Sequence, residues 1–255
     1  MRILYLGNNR LGFNVLHWLR QNKENIVGLV IHPPDSSRYR EEIIEASGLS
    51  YEYIFDGSRI RDTGVISSIK ALEPDMGISI MFGYILKDEL LNVLPRGCIN
   101  LHPAYLPYNR GAYPNVWSIV DGTPAGVTIH AVDRGVDTGP VFARQEVEVE
   151  PIDTGLTLYR KLEQAGLSLF QETWPLIKQG GITPTPQASP GSSHHIHDAD
   201  AIDCIELDRA YTARELINTL RARTFPPHRG AYFIHEGRKI HLRLELTYED
   251  EKNNR

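Results

Sequence analysis

The chain has 255 residues, 41% of them hydrophobic and 23% charged, with a formal net charge of −5. A chain this long buries a sizeable core without disulfide staples, and its two cysteines, Cys98 and Cys204, stand in no CxxC spacing, which excludes a disulfide framework or a zinc ribbon. The acidic balance speaks against a sequence-independent grip on nucleic acid, and no apolar run is long enough to span a membrane. The opening residues Met1-Arg2-Ile3-Leu4-Tyr5-Leu6-Gly7 lead straight into a strand-like segment with no signal-peptide pattern, so a soluble cytoplasmic protein is expected.

Residues 3–6 form a compact apolar run closed by Gly7-Asn8-Asn9, as in a buried strand. Phe13, Leu16 and Leu19 then recur at helical spacing, and residues 26–31 form a second apolar run stopped by Pro33-Pro34. A helix is predicted over 39–46, a short strand over 53–55, a helix over 63–72, and strands over 76–82 and 98–101. Strands apolar on both faces and separated by helices imply a mainly parallel, Rossmann-like sheet covered on each side, that is, an α/β fold. Further on, 127–132 and 141–147 read as strands joined by residues 133–140, and a long amphipathic helix spans about 157–178. Gly180-Gly181 ends it, and the Pro/Ser/Gly-rich stretch 183–193 reads as a linker or a surface crossing. A helix over 212–222 and a β-hairpin of 231–234 with 239–246, turning at His235-Glu236-Gly237-Arg238, complete a small C-terminal extension. The expected division is a catalytic domain over 1–181 and a linker, helix and hairpin over 182–255.

The stretch richest in chemistry is Ile99-Asn100-Leu101-His102-Pro103. Alternate side chains of a strand share a face, so Asn100 and His102 point the same way, and Pro103 ends the strand. Ligands of open α/β sheets bind beyond the carboxyl ends of strands, where this pair would sit. A neutral amide donor beside an imidazole suits acyl transfer: the amide donates to a developing oxyanion while the imidazole moves a proton. Asp137, in the Gly-bounded turn Arg134-Gly135-Val136-Asp137-Thr138-Gly139, is placed to orient that imidazole.

Those residues, followed by Leu106-Pro107-Tyr108-Asn109-Arg110-Gly111, Trp117, Gly126-Val127-Thr128-Ile129-His130 and Val136-Asp137-Thr138-Gly139-Pro140, form an ordered set. The set resembles the folate-dependent formyltransferases, a family that includes methionyl-tRNA, glycinamide ribonucleotide and sugar N-formyltransferases. The resemblance implies that Asn100, His102 and Asp137 are catalytic and that 10-formyltetrahydrofolate is the formyl donor, with no metal. It implies a folate cleft bordered by Met81-Phe82-Gly83-Tyr84-Ile85-Leu86 and by the loop containing Asp133, Gly135 and Val136, although plain core packing is an equal reading for Phe82, Tyr84 and Leu86. It makes Arg110 a contact to the acceptor's phosphates, with Tyr108 and Trp117 as further acceptor-binding residues. Asn8, Asn9 and Arg10, at the end of the first strand, are further acceptor contacts or else ordinary turn residues.

The turn after the first strand departs from the phosphate loop of the ribonucleotide enzymes, and too little chain follows Gly181 for the C-terminal barrel of the tRNA enzymes. The segment Leu220-Arg221-Ala222-Arg223-Thr224-Phe225-Pro226-Pro227-His228-Arg229-Gly230-Ala231-Tyr232-Phe233 resembles the sugar branch instead. That branch implies a nucleotide-linked amino-sugar acceptor, dTDP-linked 3- or 4-amino-dideoxyhexoses ahead of UDP- or GDP-linked ones. It also implies a homodimer formed through the tail and a place in O-antigen synthesis. His194, His195 and His197 cluster after the linker in a spacing that matches no closed metal site, and a solvent-facing loop is expected there. Cys98 and Cys204 read as buried filler.

Overall fold

The computed structural model describes residues 1–188 and 190–249. In chain order the elements are β1 (Arg2–Gly7), α1 (Asn9–Gln21), β2 (Asn25–Ile31), α2 (Arg40–Ser47), β3 (Ile54–Asp56), α3 (Thr63–Ala71), β4 (Met76–Ile80), α4 (Asp88–Leu91), β5 (Cys98–His102), β6 (Arg110–Gly111), α5 (Pro114–Val120), β7 (Gly126–Ala131), β8 (Val141–Glu146), α6 (Gly155–Gln179), β9 (Ser193–His194), α7 (Ile196–Asp203), α8 (Ala213–Arg223), β10 (Tyr232–His235) and β11 (Arg238–His241). They belong to two compact units, each assembled from three stretches: Met1–His102, Thr128–Arg144 and Gly166–Gln187 in the first, Pro103–Val127, Gln145–Ala165 and the described residues from Ala188 on in the second. Among the described residues no helix is long and apolar enough to cross a membrane.

A seven-stranded sheet in the order β3-β2-β1-β4-β5-β7-β8 is the frame of the first unit. Strands β3 to β5 of this order pair in parallel, and β7 runs antiparallel to β5. The sheet is thus the mainly parallel one that the sequence implies. Ile3, Leu4, Tyr5 and Leu6 of β1 are all wholly buried, which is why this strand is a continuous apolar run rather than an alternating one. Each such aliphatic side chain contributes about 1.5–3 kcal/mol relative to exposure. Chain order reverses beside β1: β2 and β3 extend to one side, β4 and β5 to the other. Ligand clefts of open α/β sheets form at such a switch point, beyond the carboxyl ends of the strands. Here those ends lead into Asn8-Asn9-Arg10, into Met81 to Leu86, and into Pro103 after Asn100 and His102. Strand β4 stops at Ile80, two residues short of the predicted end, because Met81 takes a left-handed φ of 54° that turns the chain out of the sheet.

In the second unit α5 packs against α8, and β10 and β11 form an antiparallel hairpin. The second hairpin strand ends at His241 rather than at 246; its last link to the partner strand is a bond from Leu242 N–H to Ala231 C=O. Three helices escape the sequence pattern. Helix α4 is a single turn, and α5 is buried all round over its first six residues, so it shows no apolar stripe. Helix α7 lies where a solvent-facing loop is expected, and that expectation is corrected: the Asp198 carboxylate accepts the His195 backbone N–H and caps the first turn. The expected linker is partly structured too, since Thr185 bridges to Val141 and β9 pairs with β6; its Ser189 lies outside the described residues, as do Asp250 to Arg255 of the tail.

Candidate active site

Strand β5 presents Asn100 and His102 on one face, as its alternation requires. His102 is buried, and its Nδ1 lies 3.5 Å from Asp137 Oδ2. Asn100 Nδ2 donates to Asp137 Oδ1 at 3.2 Å. The three residues that the sequence singled out, 37 positions apart at the extreme, therefore meet around one carboxylate. The same carboxylate touches a fourth side chain: His130 Nε2 is 3.4 Å from Asp137 Oδ1 and 3.2 Å from Asn100 Nδ2. His130 was legible only as part of a motif, but the antiparallel register of β5 and β7, which sets Asn100 opposite His130, brings it to the site.

Asp137 owes its position to a tightly determined turn. It takes a left-handed φ of 53°, an uncommon conformation for a residue with a side chain. Asp133 Oδ1 accepts the Gly135 N–H and the Thr138 hydroxyl, closing the start of the turn. Gln187 Nε2 donates to the carbonyls of Asp137 and Gly139 at 2.7 and 2.8 Å. A Cβ on Gly139 would stand 1.8 Å from the Ala131 carbonyl oxygen, so only glycine fits after Thr138. The Gln187 clamp comes from 50 residues downstream, inside the stretch read as a linker, and no local pattern marks it.

The two segments expected to border the folate cleft are tied together by Arg134 of one and Asp88 just beyond the other, whose charged groups meet at 2.7 Å. Within Met81 to Leu86 the side chains divide. Leu86 is buried in the apolar cluster with Leu90 and Leu94, and Phe82 and Tyr84 pack on that cluster. Gly83 and Ile85 are exposed, and in the other segment Asp133 is half-buried while Gly135 and Val136 are exposed. Exposed apolar Ile85 and Val136 offer the surface that a flat aromatic ring would cover.

His32 supports this loop from below: its ring lies 5.3 Å from Phe82 and 4.8 Å from Tyr84, and its Nε2 accepts the Gly83 N–H. Burial lowers the His32 pKa below the ordinary 6.5, against smaller opposing effects of Asp56 and the Ser36 backbone. The unfolded chain therefore binds this proton more readily than the folded one. The stabilisation is complete above 6.5 and is lost as pH falls through the lowered folded value. Urea unfolding of the wild-type chain should show a lower midpoint at pH 5 than at pH 7, and His32→Leu should show a smaller difference; equal differences would remove His32 from this account.

Among the expected acceptor contacts, Asn8 is buried and its Oδ1 accepts the Arg38 N–H, Asn9 has a left-handed φ of 63°, and Arg10 is exposed. Tyr108, Arg110 and Trp117 belong to the second unit. Tyr108 and Arg110, the latter opening β6, are half-buried on either side of wholly buried Asn109, whose Nδ2 donates to Ser118 and Thr123 hydroxyls and whose Oδ1 accepts from Ser192. Trp117 is buried against the His194 ring, 4.0 Å away and nearly parallel. Burial raises the Cys98 thiol pKa to about 12, which keeps it protonated and inert, while Cys204 is only half-buried.

A model of the formyl transferase family matches residues 1–173, which contain Asn100, His102, His130 and Asp137. The chain belongs to the formyl transferase family. A second model, described as an N-formyltransferase dimerization C-terminal domain, matches residues 198–248. A methionyl-tRNA formyltransferase of Thermodesulfovibrio yellowstonii is 33% identical over 72% of this chain and 62% of its own length. A dTDP-4-amino-4,6-dideoxyglucose formyltransferase of Mycobacterium tuberculosis is 35% identical over 60% of this chain and 65% of its own. The chain thus spans less than two thirds of these relatives. The crystal structure of a 4-N formyltransferase from Francisella tularensis is 29% identical and superposes with a TM-score of 0.83 over 97% of this chain and 98% of that one. A formyltransferase from Anoxybacillus kamchatkensis, solved with UDP-4,6-dideoxy-4-formamido-L-AltNAc and tetrahydrofolate, is 30% identical with a TM-score of 0.59 over 79% and 89% of the two chains.

Proposed function

We propose that this protein moves a formyl group from 10-formyltetrahydrofolate to the amine of a nucleotide-linked amino sugar, with dTDP-linked 3- or 4-amino-dideoxyhexoses as the favoured acceptors. The observation that carries the reading is the convergence of Asn100, His102 and Asp137 at the carboxyl end of β5. The donor set suits a formyl carbonyl: one amide N–H donor, one imidazole, and a carboxylate to orient it. The segments Met81 to Leu86 and Asp133 to Val136 would hold the pterin. Asn8, Asn9 and Arg10, and Tyr108, Arg110 and Trp117, are proposed for the acceptor, although the buried side chains of Asn8 and Trp117 would act there by shaping their loops.

The residues act in a simple order. The acceptor amine attacks the formyl carbon as a neutral nucleophile, and His102 takes the proton that its nitrogen loses as the new carbon–nitrogen bond forms. Asn100 and protonated His102 hydrogen-bond the resulting oxyanion. As the carbon–nitrogen bond to the folate breaks, His102 returns the proton to the leaving nitrogen. Asp137 holds the imidazole and stabilises its charged form.

The sugar branch is favoured by end-to-end agreement with a 4-N formyltransferase, and the dimerization model over 198–248 supports a homodimer formed by the proposed 182–255 extension beside a 1–181 catalytic domain. Methionyl-tRNA is the second reading, because tRNA formyltransferases match at similar identity. The purified protein with 10-formyltetrahydrofolate and a panel of dTDP-, UDP- and GDP-amino sugars should add the mass of one CO to one sugar. Transfer to charged initiator tRNA alone would select the second reading, and failure to bind folate would overturn both.

A further inference from the structure

The geometry points to His130 as a positioning residue that orients the Asn100 amide, a role that rests on the formyl-transfer reading above. His130 is 2% exposed, so both ring nitrogens must find partners inside the protein. Its Nδ1 lies 2.9 Å from the Ala131 carbonyl oxygen. A carbonyl only accepts, so the proton of the neutral ring sits on Nδ1 and Nε2 carries a lone pair. Nε2 then accepts from Asn100 Nδ2 at 3.2 Å. Asp137 Oδ1, another acceptor, stands at the same distance from the same nitrogen.

Two acceptors therefore face the two hydrogens of one NH2 group. A flipped amide would set its oxygen against the Nε2 lone pair and against the carboxylate, two repulsive contacts in place of two hydrogen bonds. His130 and Asp137 together hold the donor end of Asn100 at the reaction centre before substrate arrives. When the oxyanion forms, it draws one N–H from this pair. Carboxylate is the stronger acceptor, so the N–H held by neutral His130 is the one released. The 3.4 Å approach of Nε2 to Asp137 Oδ1 marks the competing arrangement: a protonated ring would donate to the carboxylate and leave Asn100 without its second acceptor.

Nitrogen NMR of the histidine rings in the intact chain at neutral pH should show His130 protonated on Nδ1 and not on Nε2; a proton on Nε2, with or without one on Nδ1, overturns the inference, and this readout needs no turnover. In steady-state kinetics His130→Ala should lower kcat by about tenfold to a hundredfold, the range seen when a ligand-orienting partner is removed. KM for donor and acceptor should stay near wild type. His130→Gln, whose side-chain oxygen can accept near the Nε2 position, should recover most of the loss. Undiminished kcat in the alanine variant, or equal loss in both, overturns the role. If the alanine variant does not fold, the glutamine variant and the ring spectrum decide. A wild-type chain that transfers no formyl group to any acceptor would end the reading beneath this inference, while the ring spectrum would still judge the His130 geometry.

Discussion

Asn100→Ala and His102→Ala each lower kcat by about a hundredfold to a thousandfold, the loss expected when one preorganised donor to an oxyanion is removed, equivalent to about 2.7–4 kcal/mol of barrier. The two variants differ in how the loss arises. Asn100→Ala removes a donor and leaves His130 Nε2 and Asp137 Oδ1 without the hydrogens they share. His102→Ala removes both the second donor and the group that carries the proton, so its loss lies at the upper end. Neither change empties a large apolar volume, and the buried acceptors left unpaired by Asn100→Ala cost about 1–3 kcal/mol, so both variants should fold, with modestly lowered thermal midpoints. The check is kcat with saturating donor and acceptor alongside a melting curve. Near-normal turnover in either variant would remove that residue from the mechanism.

Trp174→Ala destabilises the first unit by about 3–5 kcal/mol, the usual cost of truncating a buried tryptophan. Trp174 is 1% exposed and stacks on Phe170 with ring centroids 5.8 Å apart. Its Nε1 donates to Glu24 Oε1 at 3.1 Å, the atom that Lys178 Nζ also reaches at 2.8 Å. Glu24 is itself buried. The truncation therefore opens a cavity and also strips one donor from a carboxylate that water reaches poorly, which places the cost at the upper end. For a chain of this size each kcal/mol shifts Tm by roughly 2–4 °C, so a fall of about 6–20 °C is expected in calorimetry. Trp174→Phe keeps a stacked ring but loses the N–H and should fall by less. Equal losses in the two variants would assign the effect to something other than the cavity.

The fold was largely legible because its central strands are buried on both faces. Residues Ile3 to Leu6 form a continuous apolar run that is wholly buried, and the helical spacing between such runs leaves a parallel sheet as the arrangement that covers both faces. What the pattern did not reveal was structure with no periodicity of its own. Helix α5 is buried all round and α4 is one turn long. Helix α7 begins with a polar cap and histidines, so its signal is chemical rather than periodic: Asp198, three residues after His195, accepts the His195 N–H.

The amino-acid sequence by itself determined which side chains of the β5 segment share a face and which turn carries Asp137. Asn100 and His102 are two residues apart on a strand, and a strand turns alternate side chains to one face whatever surrounds it, so their partnership is a local fact. The Gly-bounded turn around Asp137 is local in the same sense. Only the tertiary structure decided what those groups touch. The register of β5 against β7 placed buried His130 beside Asn100, and Gln187 reached back to clamp the Asp137 turn. The pairing of Arg134 with Asp88 joined the two segments proposed for the folate. Each of these contacts joins residues far apart in the chain. Its existence depends on strand order and register, which are set by burial of the whole sheet rather than by the residues that meet.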